Sequence, residues 1–236
     1  MTTAETREAA ARPASPNARR GGLFLIASAC ATVVSVITRV APDADQPALA
    51  ESLAAIAERA GLYGMGGASR LIAGACLVFA ARHLLKTWII RERNGTPLVP
   101  NLLAVSGVLT AISGAVALGL AAGAPEPAAT VEAAASLRRL SGLAGFSVAG
   151  LALIVAARYQ WKAGVPLRLI APVSLLLGTG MQLIWSPAAT GIHGVTGGAF
   201  VVWLTLVGVM LLTGRVERRF AGAQAPAGEA DRRSSR

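Results

Sequence analysis

The chain has 236 residues, 54% of them hydrophobic and only 14% charged, with a mean hydropathy of +0.57. A soluble domain carries about 25% charged residues, so this composition argues against a water-solvated globular enzyme and for a chain whose main solvent is lipid. The net charge of +10 does not mark a nucleic-acid binder, because the basic residues sit at the ends of apolar runs and in the two tails, with no basic face interleaved with aromatics.

Residues 1–20 are polar and rich in Ala, Arg and Pro, the composition of a disordered tail. The first apolar run covers about 23–40. Arg19-Arg20 before it and Cys30 within it resemble parts of export signals, but the run continues well past Cys30. We read it as a retained signal-anchor. The segment DQPALAESLAAIAERAG follows, with Asp45 able to cap a helix, Pro47 suited to its first turn and Gly61 able to end it. Leu49, Leu53, Ile56 and Ala60 share one face of that helix. It is expected to lie outside the membrane, resting on headgroups or on the bundle; a lid or partner site is the alternative. Five further apolar runs cover about 64–84, 102–122, 140–158, 167–185 and 194–214. Residues 220–236 form a second polar tail.

A bilayer core of roughly 30 Å takes about 20 helical residues to cross, and backbone in lipid must satisfy its own hydrogen bonds. The expected fold is therefore an all-α integral membrane protein. Residues 21–219 form a six-transmembrane-helix bundle with a short amphipathic extracytoplasmic helix between spans 1 and 2.

The arginines orient this bundle. Arg7, Arg12, Arg19 and Arg20 precede span 1; Arg82, Lys86, Arg91 and Arg93 follow span 2. Arg158, Lys162 and Arg168 follow span 4, and Arg215, Arg218 and Arg219 follow span 6. With six spans all of these fall on one side. The other side receives Asp43, Asp45, Glu51 and Glu58, a mixed loop (Glu126, Glu132, Arg138, Arg139) and an uncharged loop at 185–192. Both termini are expected in the cytoplasm. Lys86 and Lys162 are the only lysines in a chain rich in Arg, Ala, Gly and Val, a bias of GC-rich bacterial genomes, so the expected location is a bacterial cytoplasmic (inner) membrane. Trp88 and Trp161 should mark its inner interface and Trp185 its outer one. Trp203 should pack inside.

Residues 73–86 (AGACLVFAARHLLK) align without gaps on 149–162 (AGLALIVAARYQWK), either a parallel duplication of a two-span unit or chance similarity of Ala-rich helices. Small residues recur at Gly107, Ala111, Ala115 and Gly119, at Ser141, Gly145 and Ala149, and at Gly194 and Gly198. Such stripes let helices approach closely in lipid. Packing within the chain is the first expectation, and a homo-oligomer face the second.

Arg70 is the most informative polar residue. Through the repeat it aligns with Phe146, well inside the membrane, where a charge costs roughly 2.5–3.5 kcal/mol on insertion scales. It should either pair in the bundle, with Glu58, Asp45 or carbonyls freed near Gly64, Gly66 and Gly67, or snorkel outward after a shift that brings Trp88-Ile89-Ile90 into the membrane. His83 and His193 should lie at opposite ends, about 30 Å apart, too far to share a metal or haem. Cys30 and Cys76 read as packing residues. Gly178-Thr179-Gly180 beside Gln182 could break span 5 and expose backbone to a substrate. No carboxylate falls within a span, and no Walker loop, nucleophile elbow or zincin motif is present. No cofactor, metal or catalytic residue is expected.

The leading functional expectation is a non-enzymatic accessory, scaffolding or sensing membrane subunit, its partners the lipid bilayer and a membrane protein and not a nucleic acid. One alternative is an uncoupled carrier or facilitator for a small neutral or anionic solute, contacted by Arg70, Thr179, Gln182 and His193. Another is a quinone-contacting membrane redox subunit, with His193 as the contact.

Overall fold

The computed structural model describes residues 14–40, 49–92, 95–123, 128–162, 165, 167–186 and 190–223. Of these residues 92% are helical, and there are no strands among them. In chain order the helices are α1 (Pro16–Val40), α2 (Leu49–Glu58), α3 (Ala60–Leu85), α4 (Trp88–Arg91), α5 (Leu98–Ala121), α6 (Ala128–Lys162), α7 (Leu167–Gln182), α8 (Thr190–Leu212) and α9 (Arg215–Ala223). A short 3-10 turn, Leu183–Trp185, continues α7. Six helices, α1, α3, α5, α6, α7 and α8, are long and apolar enough to cross a membrane.

These six form a closed ring. α1 packs on α3, α3 on α5, α5 on α6 and α6 on α7, and α8 closes the ring against α1. Only the α7–α8 seam is slight. Leu25, Leu77, Leu153, Met181 and Leu204 fill the middle and are all buried. The outside is apolar as well: Leu176, Val195, Leu169 and Ile37 are each at least 65% exposed. On a water-soluble monomer such a surface would be an aggregation liability; together with the six apolar helices it suggests a multi-pass membrane protein.

Each seam is held by backbone proximity, by a buried polar bond, or by both. A Cβ on Gly107 would meet the Gly74 carbonyl at 2.6 Å, and one on Gly114 would meet that of Gly67 at 2.7 Å. These two contacts run in opposite directions along α3 and α5, as an antiparallel pair requires. Gly150 and Gly178 meet in the same way between α6 and α7, and Gly22 and Gly208 between α1 and α8. Ser28 donates to the Ala73 carbonyl at 3.0 Å across α1–α3, and Ser106 to that of Gly145 at 2.7 Å across α5–α6. The Trp203 indole N–H donates to Ser174 Oγ at 2.8 Å across α7–α8. In contrast, Thr32, Thr196 and Thr205 bond back to their own helices.

Gly74 and Gly150 are equivalent positions in the internal similarity, and each meets a glycine of the next helix in the ring. The likeness between 73–86 and 149–162 thus extends to how α3 and α6 are used. The small-residue stripes fare unevenly. Ser141, Gly145 and Ala149 are all buried. Ala115 and Gly119 are exposed, and α5 packs instead through Gly107, Ala111, Gly114 and Ala117. A strict four-residue repeat drifts around a helix of 3.6 residues per turn, so alternating steps stay on one face. A Cβ added to Gly194 or Gly198 would meet nothing within 4 Å, and both are exposed, so among the described residues neither forms a close helix contact.

Several boundaries also move. α6 begins at Ala128 rather than near 140; at 35 residues it is about 52 Å long and extends beyond the apolar core. Residues 16–20 belong to α1 and not to a disordered tail, and 215–223 form α9 where the polar tail was expected to begin at 220. The remainder of both tails, 1–13 and 224–236, lies outside the described residues, as do Asp43, Asp45 and Pro47. α3 ends at Leu85 and α4 is separate from it, so Trp88-Ile89-Ile90 does not prolong that span. α2 packs on the bundle: Ile56 is buried, and Leu53 lies against the cluster of Tyr63, Ala117, Leu120 and Val131.

Candidate functional site

The end of the bundle remote from the described termini carries a cleft lined by Ser35, Tyr63, Gly66, Gly67, Arg70, Ala117 and Arg138. α1, α3, α5 and α6 all contribute. The open space is about 20 Å³, room for about one water.

Arg70 is half-buried and faces the bundle. Its guanidinium reaches α6, where a Cβ on Gly142 would lie 2.8 Å from Nη2. Gly142 lies one turn before Phe146, the position that the repeat aligns with Arg70. The side chain therefore leans toward the start of its own helix, as helical side chains do. Arg70 lines the cleft inside the bundle, and the shift of Trp88-Ile89-Ile90 into the span that the outward placement called for does not occur.

Arg138 approaches from α6, and its guanidinium carbon lies 5.7 Å from the centroid of the Tyr63 ring, cation–π geometry. The Ser113 hydroxyl, fully buried on α5, donates to the Arg138 carbonyl at 2.8 Å. Ser141 reaches the same carbonyl at 3.2 Å. Arg70, Arg138 and Tyr63 each have further interactions within the chain.

The other expected contact residues do not join this cleft. α7 is continuous through Gly178-Thr179-Gly180, so the expected break is absent. Thr179 is exposed on the outside of the ring. Gln182 is a clamp between helices: Ser147 donates to its Oε1 at 2.5 Å, and its Nε2 donates to the Ser147 carbonyl at 2.9 Å and that of Gly178 at 3.2 Å. Its amide is thereby committed to protein partners. His193 lies near the start of α8, half-buried, with Nε2 buried and without a hydrogen-bond partner among the described residues. His83 lies at the opposite end, its ring stacked on Phe24 at 5.7 Å and its Nδ1 3.4 Å from Asn17 Oδ1. Cys30 is exposed, Cys76 is half-buried, and both thiols are free.

Sequence reasoning missed Arg138, which it assigned to a loop. The available signal was the unbroken helix-compatible run from Ala128 to Leu140, with no Gly or Pro inside it.

A second polar cluster joins the described chain ends. Ser15 caps α1, accepting from the Ala18 N–H at 3.2 Å, and Pro16 occupies the first helical position. Both the N–H and the hydroxyl of Ser15 donate to the buried Glu217 carboxylate, at 2.7 and 2.6 Å. Gly214, at φ +68, turns the chain from α8 into α9 and packs on Ala14.

Comparison with models of protein families, with curated proteins and with solved structures finds no match for this chain.

Proposed function

We propose that the chain is a multi-pass protein of a bacterial cytoplasmic membrane, with both termini cytoplasmic, that serves as a non-enzymatic accessory, scaffolding or sensing subunit. One observation carries this reading: the middle of the ring is filled by Leu25, Leu77, Leu153, Met181 and Leu204, which favours a packed structural body over a conduit. Native mass spectrometry of the complex, purified from its own membrane in mild detergent, tests it. A stoichiometric protein partner is the expected result. A bare chain that moves a solute in proteoliposomes would overturn it.

An uncoupled carrier of a small neutral or anionic solute is the second reading, favoured by the placement of Arg70 in an open cleft. It requires that Arg70→Ala abolish flux while the protein still folds. Quinone contact rests on the buried Nε2 of His193, which has no hydrogen-bond partner among the described residues; it requires a bound quinone or visible absorbance in the purified protein.

A further inference from the structure

We propose that the α1–α3 seam, at the end of the bundle that holds the described termini, is a headgroup site for an anionic phospholipid. This rests on the membrane reading and goes beyond it; it does not depend on the accessory role. One face of each helix builds the seam. Asn17 Nδ2 donates to the Lys86 carbonyl at 3.4 Å, and Asn17 Oδ1 lies 3.4 Å from His83 Nδ1. About two turns further along α1, the Phe24 ring stacks on His83 at 5.7 Å and on Phe79 at 5.4 Å. Arg20 lies three residues after Asn17 and four before Phe24, so it shares their face. On α3, Arg82 adjoins His83, and Lys86 follows that histidine by three residues. The charges of Arg20, Lys86 and Arg82 all act on the His83 ring, so three cations from the two helices gather around one point. All three side chains are exposed, and none has a hydrogen bond or an ion pair among the described residues.

One turn deeper, Phe79 is 46% exposed and Leu23 57% exposed. The cations attract a phosphodiester, whose oxygens fit the guanidinium forks of Arg20 and Arg82. The apolar strip below them lies where an acyl chain would run. Basic clusters beside membrane helices recognise anionic headgroups in this way, whereas free phosphate has no use for the strip. α6 supplies an internal comparison. The repeat carries Arg82 and Lys86 to Arg158 and Lys162, which are exposed as well. Tyr159 takes the place of His83, and among the described residues no ring stacks on it. Basic residues at the ends of membrane helices are ordinary; three of them gathered above a stacked aromatic strip are particular to the α1–α3 seam.

The experiment uses the full chain in dodecyl maltoside. Phosphatidylglycerol or zwitterionic phosphatidylethanolamine is titrated in, and bound lipid is counted by native mass spectrometry. Wild type should bind phosphatidylglycerol in preference to phosphatidylethanolamine. Inorganic phosphate should displace it no better than chloride of equal ionic strength. Arg82→Gln should weaken phosphatidylglycerol binding about fivefold, the scale of one basic residue at an anionic surface, while Arg158→Gln leaves it nearly unchanged. Lys86→Gln carries the comparison if Arg82→Gln does not fold. Equal losses in the α3 and α6 variants would mean a general attraction to the basic end of the bundle and overturn the site. Absence of a preference for phosphatidylglycerol in wild type overturns it too. Displacement by phosphate beyond that by chloride would mean a soluble oxyanion and overturn the lipid assignment. A chain that stays in solution without detergent would overturn the membrane reading and this site together, an outcome distinct from all of these.

Discussion

Gly74 and Gly107 set how close α3 and α5 come, and the same chemistry gives opposite outcomes elsewhere on α5. A methyl group at Gly74 would run into the backbone of Gly107 and Ala111, and backbone cannot swing aside as a side-chain tip can. Gly74→Ala should therefore destabilise the protein by about 1–3 kcal/mol. Gly119 faces open space, so Gly119→Ala should be neutral or stabilise by up to about 1 kcal/mol through helix propensity. Thermal unfolding of both variants in one detergent checks the contrast. Gln182 separates two functional readings. As a clamp, Gln182→Leu should cost about 0.6–1.7 kcal/mol and leave any activity per folded molecule unchanged. As a solute contact, it would abolish flux with little effect on the unfolding midpoint. At this scale the sequence was partly legible. Arg70 stood out because a charge inside an apolar run is rare. Arg138 did not, because in the sequence it sits beside Arg139 just before an apolar run, where charge is ordinary.

The helices divide into those whose sequence announces them and those that need a partner to be recognised. α2 was legible from its periodic apolar face, and Leu53 and Ile56 do turn onto the bundle. α9 is short and carries three arginines, so composition alone resembles a tail. What holds it is the Glu217 carboxylate seated at the capped start of α1, where backbone N–H groups and the helix dipole favour an anion. Glu217→Gln removes the charge and turns an amide N–H₂ toward at least one donor of Ser15. It should loosen α9 by about 1–2 kcal/mol while barely moving the unfolding of the ring. Limited trypsin digestion should then cut faster at the exposed Arg215 and Arg219, with the six long helices still protected. Equal cleavage of wild type and variant would show that the carboxylate does not hold the helix.

For the molecule as a whole, the alternation of basic and acidic connections predicts a topology that can be measured in cells. In a chain carrying Cys30→Ala and Cys76→Ala, a single cysteine at Glu51 should react with a membrane-impermeant maleimide in intact cells. One at Lys162 should react only after permeabilisation. Both positions are exposed, so neither outcome is masked by packing; the reversed pattern would invert the proposed orientation. The number of long apolar helices, their approximate extents and the alternation of charge between their ends were readable because each is a property of a single stretch of chain. Length against a bilayer and the position of arginines need no knowledge of neighbours. Which faces turn inward was not readable. The ring presents apolar side chains to its middle and to its outside alike, so the periodicity that betrays the buried face of a helix in water is absent. Only the packed ring decided that Gly114 is used and Gly119 is not, that Gln182 spans α6 and α7, and that arginines far apart in sequence share one cleft. Those outcomes depend on the rotation of each helix against its neighbours, which close glycine contacts and buried hydroxyl bonds set together.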